Sequence, residues 1–381
     1  MNKIYLLEDA IISPLGFSTE ENLTAIKNER SGLKFHENNR FLSEGFYAGI
    51  IENQLLTDAF LKIGEPEKYT KLEQMMLLAV SRVLEKNPDL NLSKTALIIS
   101  TTKGNIDLLT KSSFPENRVY LGELGNVVKD FFGFKPEPIL ISNACISGGL
   151  ALAVAKRFIS AGKFDQAIVV GGDLVSEFVL SGFHSFQAIS AEPCRPFSKN
   201  RKGISLGEAA AAILLSSKKP EDPNIISLIG EASTNDANHI SGPSRTGEGL
   251  YKSIQNALRE AQVSEKEIDF LSAHGTATAY NDEMEAVAFN RSGLSAVPMN
   301  SFKGYYGHTL GASALLESIL TKHSLLNNEL YASLNFDEIG VSNPLNVNKN
   351  LEKKELKYAL KTASGFGGCN FALVLKKEEN E

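Results

Sequence analysis

Cys145 is the residue of this chain whose type and setting best suit attack on a thioester. It lies in I-L-I-S-N-A-C-I-S-G-G-L-A-L-A-V-A, residues 139–155. An apolar strand should end near Ser142, and a helix should begin just after Cys145. Ser147, Gly148 and Gly149 keep the turn slim, so a long thioester can approach. The partial positive charge of a helix N-terminus favours thiolate, the reactive form of cysteine. An ordinary cysteine, with pKa ~8.5, supplies little of it at neutral pH. Free cysteines are nonetheless among the most buried residues, so Cys145 alone reads equally well as core.

Three further segments carry groups that could act with it. In D-F-L-S-A-H-G-T-A-T-A-Y-N-D-E-M-E (269–285) an apolar strand ends at His274 beside Gly275. The hydroxyls of Thr276 and Thr278 could hold an amide-rich ligand arm, though a histidine merely closing a strand is an equal reading. In N-S-F-K-G-Y-Y-G-H-T-L-G-A-S-A-L-L-E (300–317), Lys303 and His308 flank a glycine loop that enters a small-residue helix. Glu317 lies further along that helix and could face back to the lysine. In S-G-F-G-G-C-N-F-A-L-V-L (364–375), glycines around Phe366 leave backbone N–H groups free to bind an oxyanion. A plain turn before the last strand would look the same.

The elements that must position these groups alternate. TALIIS (95–100), PILIS (138–142), QAIVVGG (166–172) and AAAAILLSS (209–217) read as buried strands. Residues 70–87 and 149–162 read as helices. Such alternation argues for an α/β fold. The charged, proline-bearing segment 218–224 reads as a join between two similar halves, 1–217 and 225–381. Each half puts a reactive residue, Cys145 or His308, at a helix start, so a pseudo-dyad would bring both over one cleft.

Composition narrows the class. The formal net charge is -6, a poor basis for binding nucleic acid. The 3 cysteines form no CxxC pair, which points away from zinc or redox spacing and towards a reducing compartment. Glu8 and Asp9 interrupt the apolar N-terminus, which reads as a first strand rather than a signal peptide. The uncharged stretch 139–155 falls short of the ~20 apolar residues of a bilayer span. A cytoplasmic enzyme without membrane insertion is the expectation.

Taken in order, Cys145, H-G-T-x-T, K-x-x-x-G-H and G-F-G-G resemble the elongating β-ketoacyl-acyl-carrier-protein synthases, members of the thiolase-like condensing enzymes. The resemblance runs from I-S-P-L-G (12–16) through R-P-F (195–197) and L-G-E-A-A-A-A-I-L-L (206–215) to the last strand. It implies a thiolase-like fold, two similar α/β halves in an α/β/α/β/α arrangement, normally dimeric. It implies that Cys145 takes an acyl chain from acyl carrier protein, and that a malonyl thioester then loses carbon dioxide and attacks that chain. His274 and His308 would hold the enolate oxygen. Lys303 would tune local charge and hold the histidine loop through Glu317. Backbone N–H groups of Cys145 and Phe366 would form the oxyanion hole, and the Phe366 ring would act as gate. Thr276 and Thr278 would bind pantetheine. No metal and no cofactor beyond the carrier's phosphopantetheine is implied. Arg195, Lys199, Arg201 and Lys202 would offer a basic rim to an acidic carrier.

The chain departs from the family around these residues. The stretch 103–138 is short where members usually shape the acyl pocket and dimer face. Ser198 replaces the usual acid after R-P-F, G-E-A-A (207–210) replaces G-D-G-A, Glu8 and Asp9 replace T-G, and Cys369 stands where threonine is usual. These changes point to a specialised synthase, of polyene or aryl-polyene type, working as a homodimer or with a related chain-length subunit. Housekeeping fatty-acid elongation is the alternative. A thiolase acting on CoA thioesters would place a second cysteine before the final glycine pair. An initiating synthase would carry asparagine at 308, and a non-catalytic chain-length subunit would lack Cys145.

Overall fold

The apolar runs form strands at β1 (Ile4–Ile12), β2 (Thr95–Ser100), β3 (Ile139–Ile141), β4 (Gln166–Asp173) and β5 (Ala209–Ser216). The second half contributes β6 (Ile226–Asn235), β7 (Phe270–Ser272), β8 (Pro298–Asn300), β9 (Tyr358–Gly365) and β10 (Cys369–Lys377). This is a computed structural model, and it describes residues 3–37, 45–110, 112–222, 224–238, 240 and 242–379. Pro223 of the join, Lys111 of the 103–138 stretch, and Met1 and Asn2 of the N-terminal reading lie outside the described residues.

The ten strands, with the short edge strand Asn346–Val347, make one 11-stranded sheet. Outward from the centre the first half runs β1-β5-β4-β2-β3, and the second runs β6-β10-β9-β7-β8. Ranked by chain position within its half, each order is the same. In both halves the two inner pairs are antiparallel and the two outer pairs parallel. The halves meet where Ile4–Leu6 of β1 pair antiparallel with Ile226–Leu228 of β6. The strand order therefore repeats about an axis between β1 and β6.

Period-two burial divides the sheet faces. Along β5, Ala209, Ala211, Ile213 and Leu215 face a central core, while Ala210, Ala212 and Leu214 face a second. Along β10, Phe371, Leu373 and Leu375 join the central core, while Ala372 and Val374 face a third. Helices α2 (Ser147–Ser160) and α6 (Ser313–Asn327) fill the central core between the half-sheets. Helix α1 (Lys71–Glu85) covers the outer face of the first half, and α4 (Glu248–Ala261) with α5 (Ala279–Arg291) covers that of the second. A short helix, α3 (Glu177–Ser185), lies over the cleft. The layers follow the expected α/β/α/β/α order.

Local signals set the ends of these elements. The helix read over 70–87 starts one residue later because Thr70 caps it, in a reciprocal capping box with Glu73. Helix α2 starts at Ser147, earlier than the 149–162 reading. Its glycines serve packing: a β-carbon on Gly148 would come 2.7 Å from the Leu315 backbone nitrogen of α6. The short stretch 103–138 folds into two 3-10 turns and a helix, Leu121–Phe132. Arg118 anchors it to the buried Glu73 carboxylate through bonds of 2.7 and 2.9 Å. Among the described residues no helix is long and apolar enough to cross a membrane.

Candidate active site

The turn between β3 and α2 presents Cys145. Ala144 adopts a left-handed φ of 44°, the sharp bend that lifts the next side chain away from the strand. Ser147 Oγ locks the bend by accepting from Asn143 N at 2.8 Å and donating to Ala144 O at 2.6 Å. The hairpin tip between β9 and β10 packs against this turn. A β-carbon on Gly365 would meet Cys369 Sγ at 2.9 Å and the Cys145 backbone nitrogen at 3.0 Å, so only glycine allows the approach. That approach directs the Phe366 N–H to the Cys145 sulfur. The Cys369 thiol donates to Phe366 O at 3.3 Å and so braces the tip.

His274 lies two residues beyond the end of β7, with its backbone held by α5. Glu285 of α5 accepts from His274 N at 2.8 Å and Gly275 N at 2.7 Å, and Asp282 accepts from Thr276 N at 2.9 Å. These two acids were not singled out in the sequence, although their i,i+3 spacing just after the H-G-T-x-T loop marks one helix face. Burial, followed by the neighbouring Asp282 charge, raises the Glu285 carboxyl to about 7. Thr278 caps α5, and its hydroxyl lies 2.9 Å from that of Thr276. His308 follows Gly307 and hangs from the backbone of Ser205 at 2.7 Å.

The two halves deliver these side chains to one place. Cys145 Sγ and one ring nitrogen from each of His274 and His308 lie within 4.8 Å of one another, all buried. The imidazoles sit edge to face with centroids 5.1 Å apart. Lys303 is fully buried, and its ammonium donates to Glu317 Oε1 at 2.7 Å, His274 O at 2.5 Å and His274 Nδ1 at 3.2 Å. An ammonium only donates, so His274 Nδ1 accepts and its proton resides on Nε2. The spacing would also suit a metal ion, but an ammonium 3.2 Å from His274 Nδ1 opposes a dication.

Charge and burial set the protonation states. Burial, then Lys303, holds both histidines well below the usual imidazole range. Both His308 ring nitrogens are buried, and among the described residues neither has a hydrogen-bond partner. Cys145 does not rest as the expected thiolate. Burial, reinforced by Cys369, pushes its thiol up to about 12 against the pull of Lys303 and the Phe366 N–H. Desolvation outweighs the helix N-terminus.

One residue the sequence did not single out belongs to this cluster. Lys361 of β9 is fully buried, and its Nζ lies 2.6 Å from Glu317 Oε2. Glu317 thus answers two ammonium groups.

A cavity of about 390 Å³ opens on Cys145, lined in part by His274, His308, Thr276, Thr278, Phe183 and Phe366. The Phe366 ring stacks on Phe183 at 5.5 Å and meets Phe186 edge-on at 5.1 Å. Among the described residues, none from 103–138 lines this cavity. The basic rim is thinner than expected. Arg201 is consumed by the carbonyls of Ser198 at 3.0 Å and Gly340 at 2.6 Å, beside Asp282, and Lys199 faces Glu338 at 3.5 Å. Arg195 is half-buried, which leaves Lys202 exposed at the mouth. At 198, where the family's acid is absent, Ser198 Oγ donates to Asp337.

Comparison with known proteins places this arrangement. Residues 9–221 match the model of the β-ketoacyl synthase N-terminal domain, and 226–337 match that of the C-terminal domain. The 3-oxoacyl-[acyl-carrier-protein] synthase 2 of Rhizobium meliloti is 31% identical over 62% of this chain and 60% of its own length. That of Vibrio harveyi is 26% identical over 96% of both. Two solved structures share the thiolase-like fold. The ketosynthase ApeO of Xenorhabdus doucetiae, solved with its chain length factor ApeC, has a TM-score of 0.86 at 24% identity, covering 99% of this chain and 98% of the other. The ishigamide ketosynthase/chain length factor has a TM-score of 0.88 at 23% identity over 99% of both chains. With both domain models matched in order across its length, the chain belongs to the β-ketoacyl synthase family.

Proposed function

We propose that the chain is a β-ketoacyl-acyl-carrier-protein synthase that carries out a decarboxylative Claisen condensation on Cys145. The observation that carries this is the meeting of the Cys145 sulfur with two neutral imidazoles beneath the Phe366 N–H. In the first half-reaction the Cys145 sulfur attacks the carbonyl of an acyl thioester. His308, whose ring nitrogens have no hydrogen-bond partner among the described residues, takes the thiol proton and passes it to the departing phosphopantetheine sulfur. The N–H groups of Cys145 and Phe366 hold the oxyanion.

In the second half-reaction the malonyl thioester loses carbon dioxide, and the freed electron pair forms an enolate. The His274 Nε2–H and one His308 N–H hold its oxygen. The enolate carbon attacks the acyl-cysteine carbonyl. The carbon–sulfur bond breaks, and the Cys145 sulfur regains one proton from solvent. Thr276 and Thr278, at the cavity wall, hold the pantetheine arm.

The substrates arrive on acyl carrier protein, received at the cleft mouth by Lys202. The acyl chain is of a specialised polyene or aryl-polyene type, and the partner is a related chain-length subunit. The ApeO and ishigamide structures, each of a ketosynthase with a chain length factor, support this part of the reading. The two halves divide at 218–224.

Intact-protein mass spectrometry after incubation with acyl carrier protein tests the chemistry. An acyl adduct on Cys145, lost in Cys145→Ala, is expected; if neither carrier-bound nor CoA-bound acyl groups label Cys145, the reading fails. A panel of saturated and polyunsaturated acyl carriers tests the chain type. Equal or better turnover with saturated medium-length chains overturns the polyene assignment. A homodimer that is active alone overturns the heterodimer.

A further inference from the structure

A fully buried lysine beside a catalytic cluster is costly to desolvate, so its surroundings are informative. Lys361 lies on β9, one strand from His274. Its Nζ has Thr362 O at 2.6 Å, Ala273 O at 3.1 Å, Ser272 O at 3.4 Å and Glu317 Oε2 at 2.6 Å. All four atoms are acceptors. Burial pulls the Lys361 pKa down, but a neutral amine would turn its lone pair on one of these acceptors, so the contacts favour the ammonium. Lys303 likewise faces acceptors alone. One carboxylate therefore lies between two ammonium ions, and the cluster carries a net positive charge.

We propose that Lys361 is a positioning residue for the condensation half-reaction, neutralising the second oxygen of Glu317 so that the Lys303 charge stays directed at His274. Without Lys361, Glu317 answers Lys303 alone, and the field across the two imidazoles falls. The reading rests on the proposed synthase chemistry and adds a charge to it. The other charged groups facing the histidines are already engaged. Glu285 and Asp282 of α5 accept backbone N–H groups of residues 274–277. Asp173 of β4 accepts from Gly311 N at 2.7 Å, and Ser313 donates to Glu317 at 2.9 Å. Lys361 also stands among the causes that keep the imidazoles neutral, after burial, Lys303 and His308 for His274, and after burial and Lys303 for His308.

The test compares Lys361→Met and Lys361→Arg with the unmutated enzyme in two assays, decarboxylation of malonyl carrier protein and acyl transfer to Cys145. Removing a nearby cation makes imidazolium easier to form, so the histidine pKa values rise. In Lys361→Met the acid limb of decarboxylation should move up by about half to one pH unit. Decarboxylation should fall about tenfold while acyl transfer stays within about threefold. Lys361→Arg should keep the original limb. Because burial raises the Glu285 carboxyl to about 7 and its charge lies beside His274, the shift must persist in a Glu285→Gln background. Equal loss in both assays with an unmoved limb makes Lys361 merely structural and overturns the proposal. If Lys361→Met does not fold, lysine 15Nζ spectra decide, with Lys361→Arg identifying the signal by its loss. An ammonium from pH 6 to 8 is expected, and a neutral amine there overturns the proposal. An unmutated enzyme that decarboxylates no malonyl carrier would instead overturn the synthase reading itself.

Discussion

Glu317→Gln removes one charge from the centre of the cluster and nearly no volume. In the native protein that carboxylate lies 2.7 Å from Lys303 Nζ and 2.6 Å from Lys361 Nζ, and all three side chains are buried. Removing one partner of a buried ion pair costs about 3–5 kcal/mol, because the other charge is left uncompensated. Here two ammonium ions lose one counter-ion, which argues for the upper half, about 4–5 kcal/mol. Unfolding entropy of ~2.1 cal/mol/K per residue gives about 0.8 kcal/mol/K for 381 residues. The midpoint should therefore fall by about 5–6 °C at pH 7. The sign of the pH dependence follows from the lysines. Unpaired and buried, they would have folded pKa values depressed below the unfolded ~10.4, so the folded variant binds fewer protons than the unfolded chain. Its stability then rises with pH, and the deficit should narrow between pH 7 and 9.5. Differential scanning calorimetry of both proteins at the two pH values is the assay. A deficit below about 1 °C, or one that is constant or widens towards pH 9.5, would refute the placement of two charged lysines on one carboxylate.

Three further outcomes follow from the same site. Gly365→Ala drives a methyl group to 3.0 Å from the Cys145 nitrogen, so it should spread the oxyanion hole and cut acyl transfer by about a hundredfold, with an unchanged far-ultraviolet spectrum. Wild-type acylation rates in that variant would refute the hole. Phe366→Ala removes the ring that stacks on Phe183 and meets Phe186 edge-on, and labelling of Cys145 by iodoacetamide should rise about tenfold, read by peptide mass spectrometry. Unchanged labelling would mean the ring does not guard the thiol. Lys202→Glu should raise KM for carrier-bound substrates at low salt with little change in kcat, whereas Arg201→Met should lower the melting point, because its guanidinium serves buried carbonyls. The reverse pattern would move the docking charge to Arg201.

Much of the candidate site was legible because the residues the structure brings together are special types in special turns. Cys145 and His308 stand out from small-residue neighbours, and the glycines that expose them also announce the turns. The strand order was legible only as alternation: nothing local to β1 or β6 says that they pair at the centre. The state of Cys145 was misread for a physical reason. The helix N-terminus is a local feature of the sequence, whereas the desolvation that keeps the thiol protonated comes from walls supplied by both halves. Arg201 was misread in the same way, since a surface-like run of basic residues does not show that carbonyls of Ser198 and Gly340 will surround it.

Lys361 sharpens the point, because a signal for it was present. Along β9, Ala359 and Ala363 flank it at i−2 and i+2, and both belong to the central core. Period two therefore requires Lys361 to point inward, and the two small neighbours leave room for its stem. An inward lysine in an apolar strand is tenable only opposite an acid, and Glu317 was already assigned to Lys303. What the sequence lacks is the register that sets Lys361 beside Ser272, two residues before His274. With that register, a lysine out of pattern becomes the second cation behind the histidine. An inward-facing charge in a strand next to a candidate catalytic histidine thus calls for a search for a shared counter-ion before it is set aside as surface.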